Sequence, residues 1–349
     1  MNRRGLVTAV LFADCCTSCA TRRSIMTAPH PSVVLVRPTS SVGAVVTWGD
    51  VVDVVAVDPE HTFTEIIAIA RADDQGRVGA TTPLTGVFGA IRCGDTLVIT
   101  GGFPDGRLGA VTVSAAGSVT RYDVTTAEGV RGPIMPLCLE GRPAAVWRPD
   151  PAPCRVVATV LPTAELITLV DDPELIDAVT TSTATGPLVL VHRAAGLRAY
   201  NGGATAHVIA DEPVDVSVVC GTTAGAVAAW SADHGRAVRL RHLAPDGRPM
   251  DDVADVAACR PGETVQSIHL ACDGERVAVL WQTASDSRDP LPGDRTTTRF
   301  WAAVIQGRTV HPPVELPEGG PGAAAWRGDE LVVVHGDGTL RITTLGGTR

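Results

Sequence analysis

Leu188-Val189-Leu190-Val191 is a four-residue apolar run that ends at His192. It is too short for a buried helix, and its Val content suits a strand covered on both faces. The same kind of run recurs along the chain at Val54–Val57, Leu97–Thr100, Val156–Val160, Ala226–Ala229, Val277–Leu280 and Leu331–Val334. Turn dipeptides fall between them: Asp105-Gly106, Asp246-Gly247, Asp273-Gly274 and Asp337-Gly338. The best stretch for a helix, residues 163–178, is interrupted by Pro173.

Successive runs lie about 30 to 60 residues apart, around the repeat length of a four-stranded propeller blade. The expectation is an all-β chain, a single β-propeller of about seven four-stranded blades. The last unit, Gly322 to Leu345, has room for only three strands, while Ser32-Val33-Val34-Leu35-Val36 stands alone at the other end. Pairing that N-terminal strand into the last blade would close the ring and remove two open sheet edges. Residues 1–31 are then an N-terminal extension and residues 32–349 the propeller domain.

Composition agrees. The chain has 349 residues, 45% of them hydrophobic, with Gly at 36 and Pro at 25, which suits many short strands joined by turns. Net charge is −9, so the basic footprint of a nucleic-acid-binding protein is missing. All 29 basic side chains of the Lys and Arg class are arginine. With no lysine amine there is no Schiff-base chemistry and no phosphate-binding P-loop. No stretch approaches the 18 or so apolar residues of a membrane helix, so no membrane span is expected.

The nine cysteines show no regular spacing. Cys15, Cys16 and Cys19 cluster near the start, without a fourth ligand at zinc-finger distance, and no metal or other cofactor is expected. Cys93, Cys138, Cys154, Cys220, Cys259 and Cys272 are scattered, which reads as buried free thiols in a reducing compartment and a cytoplasmic protein. Secretion is the alternative. Arg3-Arg4, the apolar run Gly5–Ala13 and Ser18-Cys19-Ala20 outline a signal peptide, although Met26 also serves as a natural start.

Two units carry a resemblance. Val227-Ala228-Ala229-Trp230-Ser231 leads through Arg239-Leu240-Arg241 to Pro245-Asp246-Gly247-Arg248-Pro249, and Val277-Ala278-Val279-Leu280-Trp281 leads to Phe300-Trp301-Ala302. These resemble bacterial β-propeller repeats in which an apolar strand ends in Trp. The Gly-His and Trp-Asp signatures of WD repeats are absent, so the resemblance to WD40-like propellers is in fold only. Ser231-x-Asp233-x-Gly235 resembles the Asp-box of sialidase-like propellers, but Val238 stands where that motif has an aromatic residue.

The position after each run holds Asp58, His192, Trp230, Trp281 and His335, with Arg193, Asp233, His234 and Asp337 close behind. On a propeller these would ring one face and form a binding surface. The competing reading is that each Trp wedges between blades and each His is a hydrogen-bonded structural residue. Catalytic motifs are weak. There is no G-x-S-x-G elbow, no H-E-x-x-H and no EF-hand loop, and the acidic stretch with Asp286, Asp289 and Asp294 carries the prolines and arginines of a solvated insertion. The expectation is a non-catalytic, monomeric scaffold that binds a protein or peptide partner on one rim. The alternative is a lyase or hydrolase using His and acidic residues at the channel mouth.

Overall fold

Inner strands of a propeller need small or apolar side chains, because their neighbours on both sides are other sheets. The second strand of blade 5 shows this in full: all eight residues of Gly225–Ala232 are buried. The computed structural model describes residues 33–34 and 41–346, apart from 49, 59, 61, 71–72, 125–128, 151–153, 203–204, 286–297, 317–320 and 337–339. All regular structure among these residues is β, arranged as seven antiparallel sheets. Blades 1 to 7 span residues 41–82, 86–123, 135–171, 177–210, 217–258, 263–315 and 321–346. In blade 6 the fourth strand is split into Thr309–Val310 and Val314–Glu315, both paired to the third.

The ring closes as the sequence implies. Val33–Val34 pairs antiparallel with the last strand, Leu340–Gly346, in the register Val33 to Ile342 and Val34 to Arg341. Blade 7 therefore takes its outermost strand from the start of the chain and its other three from the end. The first strands of the blades line a central channel of about 520 Å³, to which every blade contributes.

Six of the seven apolar runs are second strands, but Val156–Val160 belongs to the third strand of blade 3. The second strand there is Arg142–Trp147, whose Ala144, Ala145, Val146 and Trp147 are buried. That displacement by one strand accounts for much of the uneven spacing. The helix expected over residues 163–178 is also corrected. Glu165–Asp171 is the outer strand of blade 3, followed by a turn into blade 4. An outer strand faces solvent, so its polar residues imitate a helical face.

One register position locks the blades together. It is the residue before the last in each inner strand, next to the turn into the second strand. Arg92 of blade 2 pairs with Asp53 of blade 1. Cys138 of blade 3 is bonded to Cys93 of blade 2. Ser182 of blade 4 donates its hydroxyl to the Cys138 carbonyl at 2.6 Å and accepts the Cys138 N–H at 3.2 Å. Gly221 of blade 5 lies so close to the Ser182 carbonyl that any side chain would overlap it. Cys272 of blade 6 is bonded to Cys220 of blade 5. The Trp326 indole of blade 7 donates to the Ala271 carbonyl of blade 6 at 3.0 Å.

The free-thiol expectation is thus corrected for four cysteines. Their Cα atoms lie 5.2 Å apart in Cys93–Cys138 and 6.1 Å apart in Cys220–Cys272, within the span of a disulfide. The partners are separated by 45 and 52 residues, about one blade, so no short-range spacing betrays them. Cys154 and Cys259 remain free. The N-terminal trio Cys15, Cys16 and Cys19 lies outside the described residues, as do Asp286, Asp289 and Asp294.

Two outcomes are expected. A variant lacking residues 32–36 melts lower than the full chain, by about 1–2 °C if the lost pairing contributes roughly 1 kcal/mol; scanning calorimetry measures it. Replacing Cys93 and Cys138 together by Ser lowers unfolding free energy by about 2–4 kcal/mol in chemical denaturation, and non-reducing peptide mapping recovers Cys93 with Cys138 and Cys220 with Cys272.

Candidate functional site

Antiparallel strands reverse direction at every turn, so the connections of each blade alternate between two faces. The upper face carries the turns from second to third strand and the crossings between blades. The lower face carries the other turns. The eight described residues of the nine singled out from the sequence lie at or toward upper ends of their blades.

They do not form one ring. Counting from the hairpin into each second strand, the sixth residue of that strand is Ala56, Gly101, Trp147, Val191, Trp230, Trp281 and His335 in blades 1 to 7. Trp230, Trp281 and His335 share this register, and Trp147, which the run alignment missed, joins them. His192 lies one residue further and Asp58 two. Because side chains alternate along a strand, His192 faces the opposite way from the tryptophans.

The tryptophans are packing residues. Trp147, Trp230 and Trp281 are 1%, 0% and 2% exposed. Trp230 belongs to one buried cluster with Leu188 and Leu190 of blade 4, and Trp281 to another with Val227 and Ala229 of blade 5. The Trp230 indole donates to Glu212 Oε1 at 3.3 Å, an oxygen that Arg239 also holds at 2.6 Å. Trp281 stacks on Trp301, with ring centroids 6.4 Å apart. Neither Trp230 nor Trp281 offers a surface to a partner.

His192 is also enclosed. Its Nε2 lies 2.5 Å from the Ser217 hydroxyl of blade 5. Burial lowers its pKa; the Asp177 charge works against that and the Arg148 charge reinforces it. Arg193 belongs to a network between blades 3 and 4. Its guanidinium meets the fully enclosed Asp172 carboxylate at 2.8 Å and Glu174 at 2.8 Å, and donates to the Tyr200 hydroxyl at 2.7 Å. Tyr200 in turn donates to Asp172 at 2.7 Å. Burial raises the Asp172 pKa, but bonds from Tyr200, the Glu174 N–H and Arg193 outweigh it, and the net shift is downward. The arrangement satisfies a buried carboxylate and fixes the blade junction.

Asp58 organises a loop: its carboxylate accepts the backbone N–H groups of Glu60, Thr62 and Phe63 and the Thr62 hydroxyl. Burial opposes ionisation there, and these bonds reverse it, so the Asp58 pKa is lowered. Asp233 and His234 are exposed and both left-handed, at φ of 51° and 55°, just before Gly235 at 78°. Consecutive non-glycine residues in that region are uncommon and occur where a loop presents side chains. His335 takes its place in the strand Glu330–Gly336, and Asp337 lies outside the described residues. The Cys259 thiol is pushed up to about 11, first by burial and then by Glu263, which makes it a poor nucleophile. No group of three potential metal ligands converges among the described residues.

The upper face has exposed apolar residues that the sequence reading passed over: Phe63 at 37%, Phe88 at 44% and Ile176 at 59%. Phe88 is the extra residue of a β-bulge. Val87 pairs with Gly101 and Gly89 with Thr100, leaving Phe88 outside the ladder. Blades 1 and 7 have bulges at the same register, at Gly43 and Gly322, and blade 6 has one at Gln266. The signal was the parallel between Val42-Gly43-Ala44 and Val87-Phe88-Gly89, where Phe replaces a glycine. At Gly43 a Cβ would overlap Val87; at Phe88 the bulge turns the ring toward solvent.

No protein-family model matches the chain. No curated protein matches it either. Among solved structures it is similar to the computationally designed Ika8 protein, with a TM-score of 0.48 and 11% identity, over 88% of this chain and 97% of that one. Its own topology, seven sheets around one channel, makes it a β-propeller.

Burial keeps His192 neutral in the fold, and burial also lowers the pKa of His269. The unfolded chain takes up protons near the ordinary imidazole value of 6.5, whereas the folded chain resists them until a lower pH. Stability is therefore full above pH 6.5 and falls as pH drops toward the folded value. Urea midpoints measured from roughly pH 7 to 5 should decline, with a shallower slope in His192→Asn.

Proposed function

We propose that this propeller is a non-catalytic scaffold that docks a protein or peptide on its upper face, beside the channel mouth. Phe88 carries the reading. It is the one exposed residue of the first strand of blade 2, whose other residues are buried or half-buried, and a bulge turns it outward to 44% exposure. An aromatic ring in that setting serves as the central anchor of a small interface. Phe63 and Ile176 share its face, and the Asp233-His234 turn adds polar contacts at the edge. The exposed groups thus move the anchor from tryptophan to phenylalanine, while Asp58 and Arg193 hold loops on the same face. The two inter-blade disulfides favour the secreted alternative, with folding in an oxidising compartment, over the cytoplasmic expectation.

The test is a displayed-peptide selection on the full chain, followed by calorimetric titration of the peptides recovered. Phe88→Ala should weaken them by about tenfold or more. Met250→Ala, an exposed change on the lower face, should leave them unaffected. Peptides indifferent to Phe88→Ala would refute the assignment.

A further inference from the structure

On the lower face, a cleft of about 280 Å³ opens between blades 5 and 6. Its floor includes Ala226, Leu243 and Val277, all at most 1% exposed. His242 lines it and is clamped by Asp251. One carboxylate oxygen accepts the His242 backbone N–H at 3.1 Å and the other meets ring Nδ1 at 2.7 Å. A second tie holds the loop: the Met250 N–H donates to the His242 carbonyl at 2.9 Å. An imidazole that gives its Nδ1 proton to a carboxylate keeps Nε2 as an acceptor in its neutral form. Asp251 therefore fixes both the orientation and the polarity of the ring.

Two opposite charges complete the lining. Glu275 stands in the turn between the first and second strands of blade 6, and Arg308 in the turn after its third strand. Both are exposed, and neither has an ion-pair partner among the described residues. The cleft thus combines an apolar floor, one oriented acceptor backed by the Asp251 carboxylate, and two exposed charges, Glu275 and Arg308.

We propose that this cleft binds a zwitterionic aromatic amino acid bearing a ring hydroxyl, of the tyrosine type. The ring covers the apolar floor, the hydroxyl donates to His242 Nε2, the ammonium meets Glu275 and the carboxylate meets Arg308. Each polar group of the ligand then has one partner of matching character. The volume lies just under that of clefts for drug-sized molecules, which suits a ligand of one ring. The site is on the opposite face from the proposed docking surface and does not depend on it.

The experiment is saturation-transfer NMR and calorimetric titration of the full chain with L-tyrosine, L-phenylalanine and tyramine. L-tyrosine should bind. L-phenylalanine, without the hydroxyl, should bind about tenfold more weakly. Tyramine, without the carboxylate, should lose roughly two- to fivefold. Arg308→Ala and Glu275→Ala change exposed turn residues, so they should fold normally and each weaken L-tyrosine by a similar factor. His242→Phe should abolish the preference for tyrosine over phenylalanine. Phe88→Ala, on the other face, should change nothing. Absence of L-tyrosine binding, equal binding of phenylalanine, or indifference to Arg308→Ala and Glu275→Ala would each overturn the proposal.

Discussion

The contact on which the ring depends is made beside the hairpin of the inner strand in blades 2 to 7, where each reaches the blade before it. Arg92 does this with charge, Cys138 and Cys272 with sulfur, Ser182 with a hydroxyl, Gly221 with close approach and Trp326 with an indole N–H. Inner strands have an unpaired backbone edge toward the channel, so they lack a sheet partner on that side. A side-chain lock at this place compensates for the missing ladder. The chemistry differs from blade to blade, but the geometry is constant. That is why a repeat exists in space that hardly shows in the residues.

Much of the architecture was legible because it rests on apolar runs. Leu188–Val191, Ala226–Ala229 and Val277–Leu280 are enclosed between sheets and have no freedom to be polar. The closing strand was legible for a topological reason, since a three-stranded last unit and a lone first strand complete each other. Blade 3 misled because Val156–Val160 is more strand-like than Arg142–Trp147, whose proline and alanines hide it. The site residues were harder. A one-residue difference in hairpin register separates Trp230 from His192, and periodicity cannot resolve it when runs differ in length. The disulfides and the His242–Asp251 pair depend on which blades meet and on how a loop folds back, neither of which leaves a short spacing.

The two faces use their turns differently. Above, a bulge moves an apolar ring out of the ladder while Asp58, Asp172 and Arg193 are consumed in holding loops. Below, the turn at Pro245-Asp246-Gly247 leans across blade 4. The Pro245 carbonyl accepts bonds from Thr183 at 3.1 Å, Thr185 at 2.9 Å and Asn201. Gly247 is required there, since its φ is +86° and a Cβ would press on Leu188.

The backward direction of the locks bears on how the molecule comes into being. As the chain is made from its N-terminus, each new blade finds the surface it grips already present, from Arg92 on Asp53 through Trp326 on Ala271. Blade 7 alone must wait for a strand made at the outset, so the first residues of the domain stay unpaired for nearly the whole of synthesis.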